Sequence, residues 1–194
     1  MKLRALTLAL LGSLLVLPAT AASFKLHSSE INRHNMIPKQ FEFNGFGCAG
    51  DNKSPALQWQ NPPKDTKSFA VTVYDPDAPT GSGWWHWVVT NIPADVRELK
   101  SDAGNVSGAN LPTGAHQVRI DYGVAAWGGV CPPQGDKPHR YIFTVHALKV
   151  DKLDLPADAT AALAGFMINT NSLGKASFTA RYERLAPAKS KAKK

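Results

Sequence analysis

The stretch Ser68-Phe-Ala-Val-Thr-Val-Tyr74, running directly into Asp75-Pro-Asp-Ala-Pro79, decides how this sequence is read. β-Branched and aromatic residues in an unbroken run, stopped by an Asp/Pro cluster, describe a strand that ends in a turn. Three further runs, 87–92, 140–148 and 176–182, share that character, and Pro, Gly, Asn or Asp gather between them. One segment reads as helical. After Pro156, residues 157–169 carry Ala, Leu and Met in a compact apolar pattern, with Asp158 or Thr160 as its start and 171–174 as its stop. Many short strands with one or two short helices predict a mostly β fold, an antiparallel β-sandwich rather than a βαβ architecture. No glycine-rich phosphate loop joins a strand to a helix, so a nucleotide-binding fold gains no support. The interval 93–117 is polar and poor in periodicity, and reads as a long functional or decorating loop.

The ends of the chain bear on compartment and charge. Met1-Lys-Leu-Arg4 is a positive start, Ala5 to Leu17 is uncharged and apolar, Pro18 breaks the run, and Ala19-Thr-Ala21 offers small residues for cleavage. That layout predicts a secretory signal over 1–21, cut after Ala21 or Ala22, and a periplasmic or secreted mature protein. The alternative, a membrane anchor, would need roughly 20 apolar residues. The formal charge of +7 is concentrated at the two ends, and between Ala22 and Ala188 there are 16 basic against 15 acidic residues. A nucleic-acid binder carries its positive charge on the folded surface, so that class is excluded. Residues 187–194, with four lysines, are expected to be a solvated, disordered tail whose further role would be peripheral contact with acidic membrane surfaces. The folded domain is expected over 22–186.

Cys48 and Cys131 are the only cysteines, each in a Gly/Pro-rich loop. In an oxidising compartment two such cysteines are expected to pair. Two inert buried thiols, or one reactive thiol, are the competing readings. Nothing near them supplies His or carboxylate partners at metal-site spacing.

The chemistry-bearing residues fall in three pieces. Pro76 forces Asp75 to be extended, so Asp75 and Asp77 are expected to face the same way, where two close carboxylates would need a cation, a strong donor or a shared proton. The other reading of the same motif is a turn with Asp capping backbone N–H groups. Trp84-Trp-His-Trp87 opens the next strand, with Trp84 and His86 expected on one face and Trp85 and Trp87 on the other. The short connection Thr80-Gly-Ser-Gly83 returns the chain antiparallel and carries His86 back toward the aspartates. In the third piece, Cys131-Pro-Pro-Gln-Gly-Asp-Lys-Pro-His-Arg-Tyr141, His139 and Tyr141 share a face. Arg140 is expected to pair with a carboxylate beneath the pocket.

These motifs, in this order, resemble the signature regions of the phosphatidylethanolamine-binding protein family, which includes Raf kinase inhibitor proteins. The likeness runs from about Phe24 to Arg184. Asp51-Asn-Lys-Ser-Pro-Ala-Leu-Gln-Trp59 resembles a further family segment, and residues 80–87 and 135–140 are similar to its bacterial YbhB/YbcL branch in particular. The resemblance implies a β-sandwich with a small mouth for phosphate-like or acetate-like anions. Asp75, Pro79, Trp84, His86, His139 and Tyr141 would line it and Asp77 would support it. Bacterial members of this kind are often dimers, so the resemblance also implies a homodimer, though no interface is legible. The eukaryotic pattern ends in a helix with a pocket-side tyrosine, which the lysine tail after Tyr182 does not match, and that puts kinase binding in doubt.

Three functional classes follow: a binding module for a small anion or phosphorylated headgroup, a factor that modulates a protein partner with the pocket as its regulatory site, and a weak hydrolase using His86 with Asp75 and Asp77. No Ser or Cys sits in a nucleophile-elbow context, and two Asp with two His lack a diagnostic metal spacing. No catalytic residue, metal or cofactor is therefore assigned, and binding through His86, His139 and Tyr141 as hydrogen-bond donors is the expected function.

Overall fold

In the computed structural model, which describes residues 22–31 and 36–186, Ser68–Asp75 forms strand β3 at the centre of a five-stranded sheet. The export signal predicted for 1–21 and the tail predicted for 187–194 lie outside the described residues. In chain order the elements are β1 (Lys25–His27), β2 (Leu57–Gln60), β3 (Ser68–Asp75), β4 (Trp84–Pro93), β5 (Glu98–Leu99), β6 (His116–Gln117), β7 (His139–Leu148), α1 (Ala161–Asn171) and β8 (Ser172–Tyr182), with a short 3-10 turn at Lys39–Phe41. One sheet has the order β6-β4-β3-β7-β8 and the other β1-β2-β5, and every strand pairing within them is antiparallel.

The unbroken apolar character of β3 follows from its being covered on both faces. Phe69, Val71 and Val73 point inward and pack with Leu26, Leu57 and Trp59 of the smaller sheet, together with Phe143 and Val145 of β7. Ala70 points outward into a second cluster with Val88 and Leu148, closed by Ala161, Ala164 and Ile168 of α1. The sandwich predicted from the strand count is thus present, with one α-helix laid on its outer face.

Boundaries moved where tertiary contacts overrode local pattern. The helix starts at Ala161, because Thr160 is its N-cap and its Oγ1 accepts from the Leu163 N–H at 3.2 Å. Residues 157–159, expected to be helical, form a turn and a short extended piece instead. The chain then passes from Asn171 directly into β8, which begins ahead of the predicted 176. The interval 93–117 is irregular for most of its length but pairs at its ends as β5 and β6.

The alternation expected for β4 is broken. Val73 pairs with Trp87 and Tyr74 with Trp85, so His86 is an extra residue, a β-bulge. Trp85 and Trp87 therefore lie on opposite faces, not on one: Trp87 enters the inter-sheet core while Trp85 packs on Tyr74 outside, ring centroids 4.7 Å apart. The bulge leaves His86 and Trp87 both directed inward.

Cys48 and Cys131 are joined in a disulfide across 83 residues. It ties the 43–50 loop to the 128–133 loop. On the chain-entropy account a closed loop of this length contributes about 4.5 kcal/mol. Replacing both cysteines by alanine should lower the unfolding free energy by about that amount, read as a lower urea midpoint with a steeper slope, since the released unfolded chain exposes more surface.

Candidate functional site

The inward rows of β3 and β7 are apolar until their last residues. On β3 the sequence Phe69, Val71, Val73 ends in Asp75; on β7, read backwards, Val145 and Phe143 end in Tyr141 and His139. The core thus turns polar at one end of the sandwich, where a cavity of about 190 Å³ opens. Asp75, Pro79, Trp84, His86, His139 and Tyr141 all line it. Its volume is below the roughly 300–1,000 Å³ typical of sites for drug-sized ligands, so it suits one small group.

Asp75, only 2% exposed, accepts from His139 Nδ1–H at Oδ2 (2.8 Å). The other ring nitrogen, Nε2, lies 3.4 Å from Asp136 Oδ2. Both nitrogens of His139 thus face carboxylates of the protein, and the ring offers no free donor toward the cavity, contrary to the role expected for it.

Asp77 takes a different direction from Asp75. The Asp75 Oδ1 accepts the Asp77 backbone N–H at 2.8 Å, closing an Asx turn. The turn swings Asp77 outward, where it accepts from Arg140 Nη2 (2.7 Å), Nε (2.9 Å) and the Arg140 backbone N–H (2.8 Å). Asp77 is not on the cavity wall, so the carboxylate pair does not form and Asp77 gives His86 no help in hydrolysis. Arg140 pairs with a carboxylate as expected, but beside the pocket rather than beneath it.

The bulge delivers His86 to the cavity. Its Nδ1–H donates to the Gly128 carbonyl at 2.7 Å, and the Gly128 N–H donates to the His86 carbonyl at 2.8 Å. The tautomer is therefore fixed, with Nε2 carrying the lone pair. Burial pushes the imidazole below its ordinary range, against the opposing pull of the Gly128 carbonyl and Asp75. At neutral pH His86 is uncharged and an acceptor through Nε2, not the donor expected from sequence.

Donors come from elsewhere. The Trp84 indole N–H and the Tyr141 O–H are both buried and neither meets an acceptor, although the Cys131 backbone N–H approaches the phenol oxygen. Burial, with Asp75 nearby, pushes the Tyr141 phenol well above its ordinary range, so it stays protonated. Leaving a buried donor unmet costs about 1–3 kcal/mol.

Several wall residues escaped the sequence reading. Tyr122 donates its hydroxyl to the Gly129 carbonyl at 3.0 Å and stacks on Phe43, ring centroids 4.3 Å apart. Phe46, 77% exposed at the mouth, is held at φ 53°, a left-handed conformation uncommon for a bulky residue. Pro132 and Pro133 complete the lip beside Cys131. The available signal was the Gly-rich stretch 123–129 next to Tyr122. Gly129 is required by close approach: a Cβ there would lie 2.3 Å from the Phe43 backbone nitrogen. Among the described residues no group of three or more His, Cys, Asp or Glu could hold a metal ion.

A two-sheet β-sandwich with a small cavity of buried donors at one end of its inner face defines a ligand-binding domain. The chain belongs to the phosphatidylethanolamine-binding protein family, whose profile matches residues 27–183. It is 54% identical over 165 residues to the UPF0098 protein YbcL of Escherichia coli strain K12, covering 85% of this chain and 90% of that one. The crystal structure of E. coli YbcL, titled a member of the mammalian PEBP family, superposes with a TM-score of 0.82 over 84% of this chain and 99% of that chain. The UPF0098 protein YbhB of the same strain is 49% identical over 158 residues, 81% of this chain and 99% of YbhB. A Mycobacterium tuberculosis protein carrying a lipoprotein name, LppC, is 34% identical over 138 residues, 71% of this chain and 64% of LppC.

The Arg140 hydrogen bonds hold the Asp77 carboxyl at about 2, down from 3.8. A carboxylate depressed on folding adds stability above its unfolded pKa and loses it as pH falls through the folded value. Asp77→Asn should therefore destabilise at pH 7 by about 1 kcal/mol, discounted for exposure. The difference from wild type should vanish between pH 4 and pH 2, as followed by urea unfolding at each pH.

Proposed function

We propose that this is an exported binding module that holds a small anion, a phosphate group or a phosphorylated headgroup, in the cavity between Asp75, Trp84, His86 and Tyr141. The observation that carries it is the pair of unmet buried donors, Trp84 Nε1–H and Tyr141 Oη–H, lining a space that suits one small group. Buried donors without partners favour an acceptor-rich ligand. Asp75 does not repel such a group as a bare charge would, because His139 donates to it from the same wall. His86 adds a conditional charge. It is neutral in the empty site, and a bound anion favours its imidazolium, converting Nε2 from acceptor to charge-assisted donor.

Export is supported by the apolar run Ala5 to Leu17 behind a basic start, by the Cys48–Cys131 disulfide and by the lipoprotein name of LppC. A second reading, modulation of a protein partner with the pocket as its regulatory site, draws on the exposed Phe46 and the proline lip. An aromatic side chain held open beside a binding site suits an apolar contact on whatever carries the anion.

Glycerophosphoethanolamine separates the protein's titration from the ligand's, since a phosphodiester keeps one charge across pH 5–8. Calorimetric titration should show affinity rising as pH falls below about 6.5, at most tenfold per pH unit for one linked proton. Tyr141→Phe and Trp84→Phe should each weaken binding by roughly tenfold or more. Unchanged affinity in the double variant, or an affinity that falls with acid, overturns the assignment.

A further inference from the structure

We propose that the cleft between α1 and the outer face of the five-stranded sheet is a second binding site, which takes a small organic monocarboxylate. Its apolar body would lie on Trp85, Ile142 and Ile168 beneath Gly165, and its carboxylate would meet His146 and Lys175.

A sheet face covered by a helix is normally apolar, and at one end this one is: Ala70, Val88 and Leu148 pack under Ala161 and Ala164. Further along the same face the residues are Thr72, Thr144 and His146, each less than 8% exposed. His146 Nε2 bonds Thr72 Oγ1 at 3.3 Å, and Thr144 Oγ1 bonds Ser177 Oγ at 2.9 Å. The remaining nitrogen, His146 Nδ1, is buried with no partner. The proposal takes the tautomer in which the Thr72 hydroxyl donates to Nε2, so that Nδ1 carries the hydrogen and is a buried donor without an acceptor.

The space beside it is about 160 Å³ and is lined by these groups together with Trp85, Ile142, Ile168 and Lys175. A cavity of about 150 Å³ accommodates a body the size of benzene, so this one exceeds what a single bridging water needs. Gly165 keeps it open. A Cβ at that position would sit 3.5 Å from the Trp85 ring, and any longer side chain would project into the cleft.

Charge selects the ligand. Lys175 stands opposite His146 in the β7–β8 ladder, and no carboxylate side chain lines the cleft. Burial and that lysine hold the His146 imidazole at about 4, so the ring is neutral at pH 7 and donates without competing for an anion's counter-charge. One ammonium, one N–H and an apolar floor fit a planar group of single charge on a compact apolar body, better than a polyanion. The site is separate from the one described above: His139 and Tyr141 face the opposite side of β7.

The test is an NMR titration of the His146 imidazole signals with benzoate and pentanoate, with benzamide as the neutral control. A saturable millimolar shift is expected with the acids, at least about tenfold weaker in Lys175→Ala and abolished in Gly165→Leu. Both variants should retain glycerophosphoethanolamine binding at the other end of the sandwich, which shows that they are folded. Absence of a shift up to roughly 50 mM acid, an equal response to benzamide, or a shift that survives Gly165→Leu overturns the proposal.

Discussion

The reciprocal hydrogen bonds between His86 and Gly128 hold the site together. One runs from the imidazole Nδ1–H to the glycine carbonyl at 2.7 Å, the other from the glycine N–H to the histidine carbonyl at 2.8 Å. They are made by the residue that β4 carries in excess of its partner strand, so the bulge has a specific consequence. It breaks the ladder where the core ends and uses the freed backbone to anchor a loop. That loop then contributes the Gly129 carbonyl that receives Tyr122, and Cys131, bonded to Cys48. One wall of the cavity is sheet and the other is loop, and His86 belongs to both. Both glycines of this loop are required by close approach: a Cβ on Gly129 would meet the backbone of residues 41–43, and one on Gly128 would meet the Tyr122 ring.

Much of this was legible because chemistry-bearing residues sat where apolar alternation stopped. Asp75 after Val73, and His139 with Tyr141 ahead of Phe143, share faces with core residues in any extended chain, so their convergence at one end of a sandwich followed from period-two patterning. The sandwich itself was legible from β3, β4 and β7, which are long and rich in β-branched residues. The smaller sheet was not, because β1, β2 and β5 are two to four residues long and too brief to show a period.

The failures share a cause: local irregularities that override period-two geometry. Period-two reasoning put Trp85 and Trp87 together, and a bulge at His86 separated them. Extended geometry put Asp77 beside Asp75, and an Asx turn closed by Asp75 itself sent it out to Arg140. The turn and pocket readings of Asp75-Pro-Asp were offered as alternatives, yet Asp75 satisfies both, one oxygen for each. Hydrogen-bond direction was also beyond the sequence. Whether a histidine offers a donor or an acceptor depends on what its other nitrogen meets, and the Gly128 carbonyl lies 42 residues from His86.

For the proposed anion site, the electrostatic puzzle of an anion beside a buried aspartate changes form once those directions are known. With His139 occupied on both sides by carboxylates, the histidines cannot be two equivalent cationic claws. Asp75 is engaged by the His139 hydrogen bond, which in the proposed site would leave recognition to neutral donors, Trp84 and Tyr141, whose N–H and O–H persist across the physiological range. Neutral donors bind anions weakly in water and better in a dry cavity, where no solvent competes and the dipoles are already aimed. His86 would then supply the adjustable part. Fixed by Gly128 and depressed by burial, it stands uncharged in the empty site, and a bound anion is the change in its surroundings that would favour charging it. In the proposed anion site, selectivity would come from donor geometry, while affinity would be tuned by a single proton.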